Sequence, residues 1–266
     1  MAFSEAQKLF MATITEGIVL VFVTFVVAML YVRYAKRKRT AALALAVAFS
    51  FWDIAIICLF VMRLLSYLTV SDRMIDYGIS FSDFGINLGY IFSAISNVFI
   101  FIFCAIVFTQ SPIFRKTGMF PVIVVGALNG ITVGMLIGNT INTWPSPAYE
   151  LGPTVYHLLL TFLSFGALIF FTRQPFRQST SRWEKAGFRF IILSGIFGIL
   201  IYLSFAIDVV MGDFVPFFGG GYTIFFFFAY VYALFMLSFA YLGYVMPDFV
   251  RNFYKEQEEK AEVKSE

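Results

Sequence analysis

Apolar residues run in stretches of twenty or more, separated by short polar or turn-forming pieces, and this pattern predicts seven membrane-crossing helices. The stretches cover residues 12–34, 41–68, 84–108, 119–140, 153–172, 187–211 and 220–246. At 1.5 Å per residue each can cross a hydrocarbon layer of about 30 Å. Between them lie AKRKRT, TVSDRMIDYGISFSD, SPIFRKTG, NTWPSPAYELGP, RQPFRQSTSRWEK and GDFVPFFGGG, whose Pro, Gly, Ser and charged residues read as loops. The fold class expected is all-α: a polytopic membrane protein, a seven-transmembrane helix bundle over residues 1–247 with a short tail at 248–266. No room is left for a second folded domain.

Composition agrees. Hydrophobic residues make up 60% of the chain and charged ones 13%, with a mean hydropathy of +0.85, so lipid rather than water is the solvent for most of the surface. The 36 phenylalanines and 14 tyrosines suit lipid contact, interfacial belts and bulky packing opposite small residues.

Charge adds a direction. Sixteen of the 19 Lys and Arg residues fall on one side of the predicted bundle, from Arg33 through Lys264, while the other side holds only Lys8 and Arg73. Basic residues in short loops stay in the cytoplasm, which predicts the N-terminus outside, the C-terminus cytoplasmic and a multi-pass protein of the cell membrane. Acids mirror this, with Glu5, Asp72, Asp76, Asp83, Glu150 and Asp213 on the outer side. The first apolar run has no basic n-region and ends in KRKR, so it reads as a retained helix and not a cleaved signal. That basic run fits topology and attraction to anionic lipid better than a nucleic-acid patch, and no nucleic-acid partner is expected.

Little conventional chemistry is legible. Cys58 and Cys104 lie inside predicted helices as small hydrophobes. With two cysteines, no CxxC and His157 as the single histidine, no zinc, iron–sulfur or bis-histidine haem site can be built. Segment seven has no lysine, which excludes retinal held as a Schiff base. GxSxG, HExxH and P-loop patterns are missing. No cofactor, metal or enzymatic activity is expected.

Polar residues at membrane depth are costly and face a bundle interior or a cavity, so they are the candidate functional residues. Two layers emerge when depth is counted along the helices. Asp53, Asn97 and Asn129 fall near the midplane, a candidate ion, proton or ligand site. Glu16, Arg63, Asn87, His157 and Asp208 fall closer to the outer surface. For this outer layer the structural interpretation is an interhelical ion network, with Arg63 pairing to Asp208 or Glu16. The functional one is the mouth of an outward-facing pocket, biased toward cations by its acids.

Small residues also recur at four-residue spacing: Gly126, Gly130, Gly134 and Gly138 in segment four, and Gly85, Gly89, Ser93 and Asn97 in segment three. Such ridges let helix backbones approach closely in lipid. The expectation is that these two ridges meet inside the bundle, and Gly130→Leu should then unfold or reshape it; a homodimer interface is the alternative.

The stretch YLGYVMPDFVRNFYKEQEE, in which an aromatic helix exits through Met246-Pro247 into an amphipathic segment, resembles the exit of the seven-helix sensory regions that precede kinase domains in prokaryotic membrane histidine kinases. The resemblance implies a prokaryotic membrane sensor. Only fifteen residues follow Arg251, so such a module would signal through a separate cytoplasmic partner. Three functions therefore stand open: a receptor-like sensor, a small transporter or ion pathway centred on Asp53, and a structural subunit of a membrane complex.

Overall fold

A computed structural model describes residues 5–72, 81–143, 151–211 and 222–263. The elements are α1 (Glu5–Arg37), α2 (Thr40–Asp72), α3 (Phe81–Val107), α4 (Pro112–Thr117), α5 (Phe120–Asn142), α6 (Leu151–Gln178), α7 (Arg182–Met211), α8 (Ile224–Val245) and α9 (Asp248–Val263). No strand occurs among the described residues. All but α4 and α9 are long and apolar enough to cross a membrane. The chain is therefore an all-α, multi-pass membrane protein with seven membrane helices.

Those helices begin and end close to the predicted apolar stretches but extend beyond them, α1 by seven residues at its start and α6 by six at its end. Polar residues that end an apolar run do not end a helix, because helical hydrogen bonding continues into the headgroup region. Prolines and left-handed residues do the punctuating. Lys38 adopts φ 51° in the two-residue turn between α1 and α2, and Pro112 and Pro121 open α4 and α5 from their first turns, where a missing N–H costs nothing. Within SPIFRKTG, read as loop, the structure has the single-turn helix α4. Arg73, Asp76, Glu150, Asp213 and Lys264 lie outside the described residues.

Consecutive helices alternate in direction. The near end of the bundle gathers the starts of α1, α3, α6 and α8 with the ends of α2, α5 and α7; the far end gathers the basic turns and α9. α2 packs most extensively on α3 and α1, α7 on α8 and α6, while α5 sits at the edge against α3 and α6. Apolar stripes are evident on the outside: Ile14, Ile18, Val21 and Phe25 follow helical spacing on α1 and are each about half exposed or more, a face suited to a bilayer.

Close helix contacts do exist, but not where the longest glycine ridge predicts them. A Cβ placed on Gly130, Gly134 or Gly138 would meet nothing within 4 Å, and one on Gly126 only Val98 at 3.8 Å. The ridge of α5 therefore faces outward, and its expected pairing with α3 is not formed. On α3, Gly85 and Gly89 instead press on α2, where a Cβ would come within 2.8 Å of Met62 and 3.3 Å of Leu59. Further along the same ridge Ser93 bonds to Tyr202 of α7 and Asn97 to Thr161 of α6. The stripe drifts about 40° per four-residue step, so it meets three helices in turn. The tightest backbone approach belongs to Gly187 of α7 and Gly243 of α8, a Cβ on Gly243 falling 2.9 Å from the Gly187 carbonyl.

Candidate functional site: an aromatic cavity beneath a buried arginine

Four helices turn one face each toward a shared cavity of about 310 Å³. Trp52, Ile56, Leu59 and Arg63 project from α2 at three- and four-residue intervals, Ser82, Ile86 and Ser93 from α3, Tyr202, Phe205 and Asp208 from α7, and Phe226, Tyr230 and Ala233 from α8. This spacing puts each set on a single face of its helix. Arg63 and Trp52 are eleven residues apart, so the cavity extends roughly 16 Å along the helix axes from the near end toward the middle of the bundle.

At the mouth, Arg63 is only 5% exposed and Glu16 fully buried, and the two form an ion pair at 3.3 Å. Arg63 Nη1 also donates to Ser82 Oγ at 2.6 Å and to the Tyr222 hydroxyl, and its guanidinium lies over the rings of Tyr222 and Phe226. Tyr230 donates to Glu16 Oε1 at 2.8 Å. One arginine thus ties α1, α2, α3 and the start of α8 together, which is how a buried charge is tolerated where water is scarce. Both Arg63 donors to Glu16 reach the same oxygen, so Glu16 Oε2 is left buried without a hydrogen bond.

Asp208 is not the partner of that ion pair. Its Oδ1 accepts from the backbone N–H of Thr223 at 2.7 Å and from the Thr223 hydroxyl at 2.6 Å. It therefore caps α8 from the neighbouring helix, next to the N-cap that Thr223 itself supplies to Phe225; both satisfy orphan donors of the first turn.

At the floor, the Tyr202 hydroxyl accepts from Trp52 Nε1 at 3.4 Å and shares a hydrogen bond with Ser93. Directly behind this wall stands His157, fully buried, its ring 5.0 Å from Tyr90 and 5.8 Å from Tyr202, with neither ring nitrogen hydrogen-bonded. Asn87 is likewise buried, with its Nδ2 unpartnered. Of the outer layer, Glu16, Arg63 and Asp208 surround the mouth and His157 backs the floor.

The midplane layer does not assemble. Asp53 is half-buried and accepts from Thr24 of α1 at 2.9 Å. Asn97 donates to Thr161 at 2.8 Å on the other side of the bundle, and Asn129 donates to the Val125 carbonyl of its own helix. Equal depth is not assembly: no hydrogen bond joins the three side chains to one another.

Sequence reasoning missed most of the cavity's aromatic wall. Trp52, Tyr202, Tyr222, Phe226 and Tyr230 were lost among the chain's many aromatic residues. A usable signal exists, since Phe226, Tyr230 and Ala233 recur at four- and three-residue spacing on one face of α8. Cys58 and Cys104 are free thiols. No family model, curated protein or solved structure matches this chain.

Proposed function

We propose that the protein is a receptor-like membrane sensor whose ligand occupies the cavity between α2, α3, α7 and α8. The observation that carries this is the cavity itself: about 310 Å³, walled largely by aromatic and aliphatic side chains, with polar groups confined to its mouth and floor. That volume lies at the small end of the range for small-molecule sites, roughly 300–1,000 Å³. The charged residues lining it are Arg63, Asp83 and Asp208. Arg63 is committed to Glu16, Ser82 and Tyr222, so the carboxylates set the sign of the mouth and favour a ligand with an apolar body and a cationic head. Aromatic rings around such a head add cation–π attraction.

The positive-inside argument puts this mouth on the outer side of a cell membrane and α9 in the cytoplasm. The exit of α8 through Met246-Pro247 into α9, similar to that of prokaryotic sensory regions, suits passing a change to a cytoplasmic partner.

The test is a thermal-shift comparison of small aromatic amines with carboxylates of the same size, on purified protein in neutral detergent. Amines should stabilise the wild type and carboxylates should not, and the preference should vanish in Asp208→Asn, which keeps an oxygen to accept from Thr223. Equal responses to both series would remove the cationic head; no response to either would remove the cavity as a ligand site.

A second reading, a subunit of a larger complex or a homodimer, is supported by the open glycine face of α5. A transport pathway centred on Asp53 has no comparable support, since no hydrogen bond joins Asp53, Asn97 and Asn129.

A further inference from the structure

The far end of the bundle carries a second concavity, a cleft of about 650 Å³ bounded by α1, α6, α7, α8 and α9. Arg33 and Arg37 of α1, Arg39 of the turn before α2 and Arg251 of α9 all line it, and Glu184 is the one carboxylate among its lining residues. A topology signal alone needs basic residues at this level, pointing anywhere into water. Four arginines from three elements converging on one concavity is a different property, and their mutual repulsion favours an anion between them.

Donors remain for that anion. Arg33 uses Nη2 on the Val245 carbonyl at 3.2 Å, closing the last turn of α8. Arg251 uses Nη2 on Asp248 at 2.8 Å, and its Nε is buried without a partner. Arg37 and Arg39 are exposed at the rim. Trp183 and Tyr244 also line the cleft, as aromatic residues do at the level of lipid headgroups. Planar guanidinium groups present paired N–H donors that match two oxygens of a phosphate.

We propose that this cleft is a phosphate-binding site, in which Arg33, Arg37, Arg39 and Arg251 hold a phosphate group carried by an anionic lipid or by a small soluble molecule. Basic pockets between membrane helices on the cytoplasmic side take lipid headgroups of this kind. The site is independent of the aromatic cavity and stands whether or not that cavity binds a ligand.

The experiment uses the full chain in neutral detergent. Native mass spectrometry compares bound dioleoyl phosphatidylglycerol with dioleoyl phosphatidylcholine, and melting temperature follows inorganic phosphate at constant ionic strength. Phosphatidylglycerol retained in preference to phosphatidylcholine identifies a lipid ligand; stabilisation by phosphate without that preference identifies a soluble one. In either case the pair Arg37→Gln with Arg39→Gln should weaken binding roughly thirtyfold, since each surface-level arginine contributes about 1 kcal/mol and a tenfold change is about 1.4 kcal/mol. The pair Arg115→Gln with Lys116→Gln, exposed on α4, should leave it unchanged. The proposal is overturned if neither probe binds the wild type selectively, if the Arg37 and Arg39 pair has no effect, or if the α4 pair lowers binding equally, since the attraction would then be diffuse surface charge.

Discussion

α5 and α8 are membrane helices of nearly equal length, 23 and 22 residues, and they are held in place in opposite ways. α8 is fixed by side chains that reach across helix boundaries, Tyr230 to Glu16 and Thr223 to Asp208, and by the close backbone approach of Gly243 to Gly187. α5 has the more regular sequence, yet Asn129 bonds only within its own helix and three of its four glycines face open space. Regular spacing says that a helix has a smooth face. It does not say what lies against that face.

The contrast can be broken most severely at the buried ion pair. Arg63→Met leaves the buried Glu16 carboxyl without its cationic partner, and should cost about 3–5 kcal/mol of stability, read as loss of folded protein in thermal or denaturant unfolding in detergent. A loss below about 1 kcal/mol would mean the start of α8 is anchored by something else. Gly243→Ala comes next. Its methyl would meet the Gly187 carbonyl and the Ile191 amide, each 2.9 Å away, and backbone yields poorly, so about 1–3 kcal/mol is expected by the same measurement. Thr223→Val removes one hydroxyl donor to Asp208 and the N-cap of α8, for about 1 kcal/mol.

The smallest effect is expected on α5. Gly130→Leu should leave the stability of the monomer within about 0.5 kcal/mol, reversing what the sequence ridge alone suggests. Size-exclusion with light scattering sharpens the result. If the α5 face joins a second subunit, the same substitution should dissolve that oligomer while sparing the fold; unfolding of the monomer would show that α5 packs on its glycines after all.

Much of the architecture was legible because the bilayer imposes it: apolar length sets where each helix crosses, though several helices run on past the polar residues that end it. The site was half legible. Glu16, Arg63, His157 and Asp208 could be picked out because ionisable groups are rare at depth. What they would touch could not, because partner choice depends on the rotation of each helix, and a lipid-soluble chain carries no strong polar-apolar alternation to reveal it. Asp53 shows the limit. Its depth suggested a central site, but its bearing turns it toward Thr24 on α1. Tyr202 shows the converse, an unremarkable aromatic residue that turns out to join Trp52, Ser93 and His157.

The stitching of neighbouring helices has a mechanical consequence. α2 and α3 are locked by the close approach at Gly85 and Gly89, and α7 and α8 by Gly187 with Gly243 at one end and Asp208 with Thr223 at the other. The cavity thus lies between two stiff leaves, like the gutter of a book. Clasps across the gutter include Tyr202 with Ser93 and Trp52 at the spine, and Arg63 with Tyr222 and Phe226 at the open edge. Widening the space strains these clasps and the Glu16 bonds by which α1 joins Arg63 of α2 to Tyr230 of α8; under the proposed function, Tyr202 is where a guest's size would be converted into movement of α7 and α8 together.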